Sequence, residues 1–277
     1  MNETPVHQPP TSLADEASAL RRSIIASLHA CGGGHYGGSL SVIDILLVLY
    51  KKIMRASPQQ AGHPARDRFI LSKGHAAMAY YALLKNMGYI DEPLDTYGTL
   101  HSPYEGHPDM HCLPGIDFST GSLGQGLAVG LGMAFALRST PARVWVVLGD
   151  GECQEGQVWE TAMIAERYGN GNLIAIVDCN KYQEWGWIHD DSIRPEPVIG
   201  IVQKWKAFGW HVLQVDGHDH HALEAVLEQA GAWRKGPVAI IAHTIKGKGF
   251  AMAEEDPTRF HCTTLTDSEQ KLWGGIL

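Results

Sequence analysis

The sequence predicts an α/β fold, a mainly parallel sheet with helices on both faces. Three observations carry this expectation. Residues 144–148 (VWVVL), 173–177 (LIAIV) and 238–242 (VAIIA) are short runs, apolar throughout, with no polar alternation. Strands of that kind are buried on both faces, as in parallel sheets. The segments 155–167, 198–208 and 220–232 read as helices between them, and 211–215 supplies one more strand. The strand ends are polar: Gly149-Asp150-Gly151 follows one and Asp178-Cys179-Asn180 another. Ligands of such folds sit beyond the carboxyl ends of the strands.

The first half justifies its elements less evenly. Residues 1–12 are polar and Pro-rich and read as a loose arm, with a single domain over 13–277. Residues 13–30 form a helix whose Leu20, Ile24, Ile25 and Leu28 make an apolar stripe, with Arg21 and Arg22 facing water. The next nine residues, CGGGHYGGS, hold five glycines, a composition that argues against helix and for close backbone approach. A second helix is expected over 41–54, capped by Ser41 with Asp44 in its first turn. Residues 67–71 read as a strand delivering Ser72-Lys73-Gly74-His75, and 76–87 as a helix. The stretch 88–118 is irregular, and loops of that length are usually functional or disordered. Residues 121–137, GSLGQGLAVGLGMAFAL, are uncharged but fall short of the ~20 residues of a membrane span, so a buried core helix is expected.

Composition bounds the function. The chain has 277 residues, 44% of them hydrophobic, and a net charge of -8 from 30 acidic and 22 basic residues. That balance argues against nucleic acid or an anionic membrane as general partner. Five cysteines, an odd number without a CxxC pair, indicate a reducing compartment. The amino-terminal residues lack the basic and apolar regions of a secretory signal, so the cytoplasm is the expected location.

The residues themselves offer one sharp constellation. Adjacent strands ending in Asp150 and Asn180 place two oxygen donors side by side. A hard cation such as Mg²⁺ or Ca²⁺ takes oxygen ligands, often one carboxylate plus phosphates. The neighbouring glycines leave main-chain N–H groups open to a diphosphate. The plainer reading is that Asp150 caps a helix and Asn180 makes a turn. The chain also carries 15 histidines. The spacing of His101, His107, His111 and Cys112 admits a zinc site as a minor alternative. His218, His220 and His221 fit a structural or surface role at a strand end, with Asp219 or His220 near a helix cap.

The motifs resemble those of transketolases over roughly residues 13–261. The matching segments are GHYGGSLSVIDIL from Gly34, RDRFILSKGHA from Arg66 and GHPD from Gly106. TGSLGQG and GMA follow, then GDGECQEGQVWE from Gly149, HTIKGKGF from His243, and Phe260-His261. The resemblance implies a thiamine-diphosphate-binding domain. By it, Asp150, Asn180 and the Tyr182 carbonyl ligate Mg²⁺ (or Ca²⁺). Gly121, Ser122, Leu123, Gly149, Gly151, Glu152, Asn180 and His243 lie at the cofactor. His35, His75, His107 and His261 line the channel where the substrate loses and gains protons. Glu155, with Glu160, faces the subunit interface and assists the partner's acid–base network. The implied reaction moves a two-carbon ketol (glycolaldehyde) unit from a ketose phosphate to an aldose, through a dihydroxyethyl adduct on the cofactor. Lys246 and Lys248 are weaker candidates for neutralising diphosphate or closing a loop.

The resemblance covers only the first of the family's domains. The expectation is therefore one subunit of a split enzyme, inactive alone. A second subunit would carry the pyrimidine-binding and carboxyl-terminal domains, in an α2β2 assembly. Apolar residues left exposed within 121–137 would be covered there. The segment KYQEWGWIHDD, Asp109 in place of the usual glutamate of GHPE, and Cys262 depart from the family pattern. The altered 184–187 segment keeps a second acceptor class in view, a lipoyl group or carrier protein as in dehydrogenase E1 components.

Overall fold

The computed structural model describes residues 12–184 and 197–269. Five strands form one parallel sheet: β1 (Arg68–Leu71), β2 (Val144–Gly149), β3 (Leu173–Cys179), β4 (His211–Asp216) and β5 (Val238–His243), in the order β1-β2-β3-β5-β4. The register pairs Val147 with Ile176, and Ile176 with Ile240, so the apolar runs stand side by side.

Alternate residues of each strand feed two cores. Phe69, Trp145, Val147, Ile174 and Ile240 point into one, under α1 (Leu13–Ala30), α2 (Tyr36–Val48), α3 (Ala77–Asn86) and α7 (His220–Ala232). Ile70, Val146, Leu148, Val177 and Ile241 point into the other, under α4 (Gln125–Leu137), α5 (Gly156–Arg167) and α6 (Ile201–Ala207). The apolar, non-alternating strands follow from this double cover. The helix α8 (Ala251–Glu255) closes the described chain near its end. Strand order doubles back at β5, which returns between β3 and β4. The crossover helix α7 accordingly lies on the face opposite α5 and α6.

Several elements depart from the sequence-based expectation. The glycine-rich segment is partly helical after all. Helix α2 starts at Tyr36, takes in Gly37, Gly38 and Ser39, and ends in a wider turn at Leu49–Ile53. Burial outweighs the cost of helical glycine here. A Cβ on Gly37 would lie 2.9 Å from the Lys246 side chain, and one on Gly38 3.1 Å from His75. Ser41 is therefore inside the helix rather than at its cap, and Asp44 is in its middle. Arg21 does not face water; it is ion-paired with the buried Asp44.

Helix α4 begins at Gln125, not at Gly121, because Gly124 takes a left-handed conformation at its start (φ 82°). It lies directly on the sheet. A Cβ on Gly126 would collide with the Ser72 side chain, and one on Gly130 would come within 2.6 Å of Val146. Among the described residues no helix is long and apolar enough to cross a membrane. Residues 1–11 and the Trp185-Gly186-Trp187 departure lie outside the described residues.

Candidate active site

The parallel sheet brings the carboxyl ends of β1, β2, β3 and β5 to one rim. Past that rim lies a cavity of about 510 Å³. Strand β1 delivers Lys73 and His75, β2 delivers Gly149 to Glu152, β3 delivers Asn180 to Glu184, and the segment after β5 delivers Lys246. Gly38 of α2, Leu123, Glu155 and His261 add to the walls.

Its floor is a buried polar network. Asp178 is fully buried and accepts from Lys73 Nζ (2.5 Å), Ser41 Oγ (2.6 Å) and Thr244 Oγ1. Asp150, beside it, accepts from the amides of Gly151 (2.9 Å) and Lys181 (2.6 Å). Burial, and then the Asp178 carboxylate, push Asp150 up to about 7. Asn180 Oδ1 accepts from the Tyr182 amide at 3.1 Å. A buried carboxylate whose charge is opposed by its surroundings, next to an amide oxygen, suits a hard divalent cation. The donor set thus fits Mg²⁺ or Ca²⁺. Gly149 and Gly151 beside it line the cavity without side chains and so leave room for a diphosphate, while their amides donate to Glu152 and Asp150.

Above the floor four imidazoles gather. His35 has its ring centre 5.3 Å from His75, 5.4 Å from His261 and 6.4 Å from His107; His75 and His261 are 5.2 Å apart. They come from four separated stretches: the turn before α2, the end of β1, the long loop after α3, and the residues after α8. Gly121 (φ 150°) lets the chain pass the His107 ring, which a Cβ there would approach to 3.2 Å. Burial, helped by nearby cations, lowers His35 to about 4 and His261 to about 3, and takes His75 well below the ordinary histidine value. These three rings are neutral at pH 7. Lys246 Nζ is 3.0 Å from His261 Nδ1, and burial followed by Lys73 lowers it to about 8.

The remaining candidates are distributed as follows. Glu152 is buried, with one oxygen on Ser72 Oγ and the Gly124 amide and the other on the Gly149 amide, so both oxygens are taken by protein. Leu123 and Glu155 are exposed at the rim, and Ser122 is exposed beside them. Tyr182 is partly buried in the wall. His243 stands apart: its exposed ring is 3.2 Å from Gln214 and faces a smaller cavity of about 180 Å³ behind Asp150. Among the described residues no three His, Cys, Asp or Glu side chains could hold a metal, so the His101–Cys112 zinc pattern is not assembled. Asp219 caps α7, and His218 and His220 turn inward onto Asp44.

Sequence reasoning missed Asp178 and Lys73 and undervalued Lys246. Asp178 was legible as a charge ending a fully apolar strand; nothing in the sequence paired it with Lys73.

The comparisons with known proteins fall in line with this geometry. Residues 13–273 match the family model described as the transketolase, thiamine diphosphate binding domain. The chain belongs to the transketolase family. It is 40% identical over 247 residues to the 6-deoxy-6-sulfo-D-fructose transketolase subunit SqwG of Clostridium sp. (strain MSTE9), covering 87% of this chain and 88% of that one. It is 37% identical to one subunit of the apulose-4-phosphate transketolase of Phocaeicola vulgatus, covering 84% and 83%. Against the full-length transketolase of Homo sapiens it is 38% identical and spans 40% of that chain's length. The crystal structure of transketolase from Campylobacter jejuni superposes with a TM-score of 0.82 at 29% identity, over 95% of this chain and 42% of that one. Transketolase membership makes the chain part of a transferase of thiamine-diphosphate-dependent ketol transfer, with relatives of its own length that are subunits of split enzymes.

Proposed function

We propose that this chain is the diphosphate-binding half of a two-subunit transketolase. The pair would transfer a glycolaldehyde unit from a phosphorylated or otherwise anionic ketose to an aldose. The observation that carries the proposal is the four-histidine cluster standing over the Asp150–Asn180 floor. Relatives of subunit length are named for 6-deoxy-6-sulfo-D-fructose and apulose 4-phosphate, both sugars with an anionic group. That supports a sugar substrate over a lipoyl or carrier-protein acceptor.

In this reading Asp150, Asn180 and the Tyr182 carbonyl hold Mg²⁺, and Gly149 and Gly151, lacking side chains, leave room for the diphosphate. Lys246 brings a positive charge to the same volume, while that of Lys73 is paired with Asp178. Bound thiamine diphosphate supplies the nucleophilic carbon and the electron sink for breaking and making the carbon–carbon bond. The histidines supply proton transfer. A neutral imidazole can take the proton of a sugar hydroxyl and return it to an aldehyde oxygen. His107 and His35 serve the C1 hydroxyl side, and His75 and His261 the C3 and aldehyde oxygens. Lys246 donates to His261 Nδ1, which leaves its Nε2 as the proton-bearing nitrogen, so His261 serves as the proton donor of that pair. Glu155 sits at the exposed rim, where a second subunit would meet it. That subunit would carry the pyrimidine-binding and carboxyl-terminal domains, in an α2β2 assembly within the cytoplasm.

The test is made on the chain co-purified with its second subunit, thiamine diphosphate and Mg²⁺. Xylulose 5-phosphate and ribose 5-phosphate should give sedoheptulose 7-phosphate, and Asp150→Ala should abolish it. No transfer from that donor or from sulfonated and branched ketoses, with cofactor bound, would overturn the proposal.

A further inference from the structure

The segment that carries Lys246 is fixed from behind by polar groups that the proposed chemistry does not use. Asp44 is buried in α2 and ion-paired with Arg21 of α1. Its Oδ2 lies 2.6 Å from Nδ1 of His218, and its Oδ1 2.7 Å from Nε2 of His220. On the far side of the His218 ring, Nε2 lies 2.8 Å from the amide nitrogen of Ile245. An amide N–H only donates, so this Nε2 accepts and carries no proton. The ring's proton is then on Nδ1, donated to Asp44. The carboxylate selects the tautomer, and the tautomer makes the acceptor.

The next residue is Lys246, whose ammonium reaches His261 Nδ1 at 3.0 Å and the Gln183 carbonyl at 3.4 Å. One residue further, the Gly247 amide donates to Gly37 O at 3.1 Å. The side chain of Lys246 is thus aimed by two backbone anchors, and His218 supplies the first of them.

We infer that His218, held in its Nδ1–H form by Asp44, is a positioning residue that seats Lys246 against His261. Its ring hydrogen-bonds Asp44 and the Ile245 amide, and it acts on Lys246 through that amide. The inference rests on the ketol-transfer reading for its catalytic meaning and on the contacts alone for its mechanics.

Hydrogen exchange of the full chain, read by mass spectrometry on peptides spanning 244–249, separates the two. In His218→Ala this peptide should exchange about tenfold faster, the size of one lost hydrogen bond, while β2 and β3 stay protected. His218→Gln keeps an acceptor for the amide and should recover most of the protection. Asp44→Ala removes the acceptor of the Nδ1 proton, so the ring is no longer held with a bare Nε2 toward the amide, and should loosen the same peptide. In the two-subunit complex His218→Ala should lower kcat/KM and add nothing further in a Lys246→Ala background. Unchanged exchange at 244–249 in His218→Ala, loosening spread over the whole sheet, or no difference between the Gln and Ala variants would overturn the inference. Exchange is read without turnover. A loosened peptide in a complex that transfers no ketol unit would refute the functional reading and leave the positioning role standing.

Discussion

Lys73 and Asp178 form an ion pair that is almost wholly withdrawn from water, Nζ to Oδ2 at 2.5 Å, joining the ends of β1 and β3. Removing one partner of such a pair strands the other charge. Lys73→Met would leave Asp178 with only the Ser41 and Thr244 hydroxyls as donors. The expected loss is about 3–5 kcal/mol of folding stability. Urea unfolding of the chain measures it, and a loss below about 1 kcal/mol would show that the pair does not hold the floor together.

The histidine cluster makes stability depend on pH. His35 and His261 sit near 4 and 3 in the folded chain and His75 is also depressed, by burial first and then by neighbouring cations. Unfolded histidine binds its proton near 6.5. Below that value the unfolded state binds more protons than the folded one. The contribution is therefore full above pH 6.5 and is lost as pH falls toward 4, by up to about 1.4 kcal/mol per pH unit for each ring. Unfolding midpoints at pH 7.5, 6 and 5 should fall accordingly, and His75→Gln should flatten the slope.

Asp44 works in a lower window. Burial opposes its charge, but hydrogen bonds from His218 and His220 and the Arg21 guanidinium prevail and hold its carboxyl well below the usual range. A depressed carboxylate stabilises the fold above its unfolded value, near 3.9, and ceases to as pH falls through its folded value. Asp44→Asn should therefore be less stable than the parent at pH 7, with the gap narrowing below about pH 4. A gap that stays constant down to pH 2 would contradict this assignment.

Gly126→Ala tests packing. The added methyl would run into the Ser72 side chain and come to 2.9 Å from the Ser72 Cα, and backbone cannot give way there as a side chain can. An overpacking cost of about 1–3 kcal/mol is expected, with Ser72 pushed off Glu152. A melting curve against Gly132→Ala, a helix position open to solvent on the same element, isolates the effect.

Loading tests the floor. In the two-subunit complex, Mg²⁺ with thiamine diphosphate should raise Tm, as any ligand of the folded state does. Asp150→Asn should remove the Mg²⁺-dependent part of that rise while leaving the unloaded Tm close to the parent's. Equal stabilisation of both would remove Asp150 from the cation site.

Much of the sheet was legible because a strand buried on two faces has to be apolar along its whole length, as Val144 to Leu148 and Val238 to Ala242 are. The helical start at Tyr36 was not, since glycine content argues against helix. Only the approach of Lys246 and His75 from elsewhere in the fold makes Gly37 and Gly38 the fitting residues. The four histidines are visible through motif order, and their 5–6 Å grouping is a property of the assembled fold. Arg21 escapes a periodicity argument because that argument places it beside Arg22, while its partner Asp44 is on another helix. His243 sits in a matching segment, yet its ring leaves β5 toward Gln214 and away from the main cavity.

Glu152 ties Ser72, Gly124 and Gly149 to a single carboxylate. Three turns from distant parts of the chain are thereby leashed to one post. A shift in one of them drags on the other two. Substitutions at these four positions are consequently expected to drift through evolution as a linked set, each tolerated only when its companions change to match.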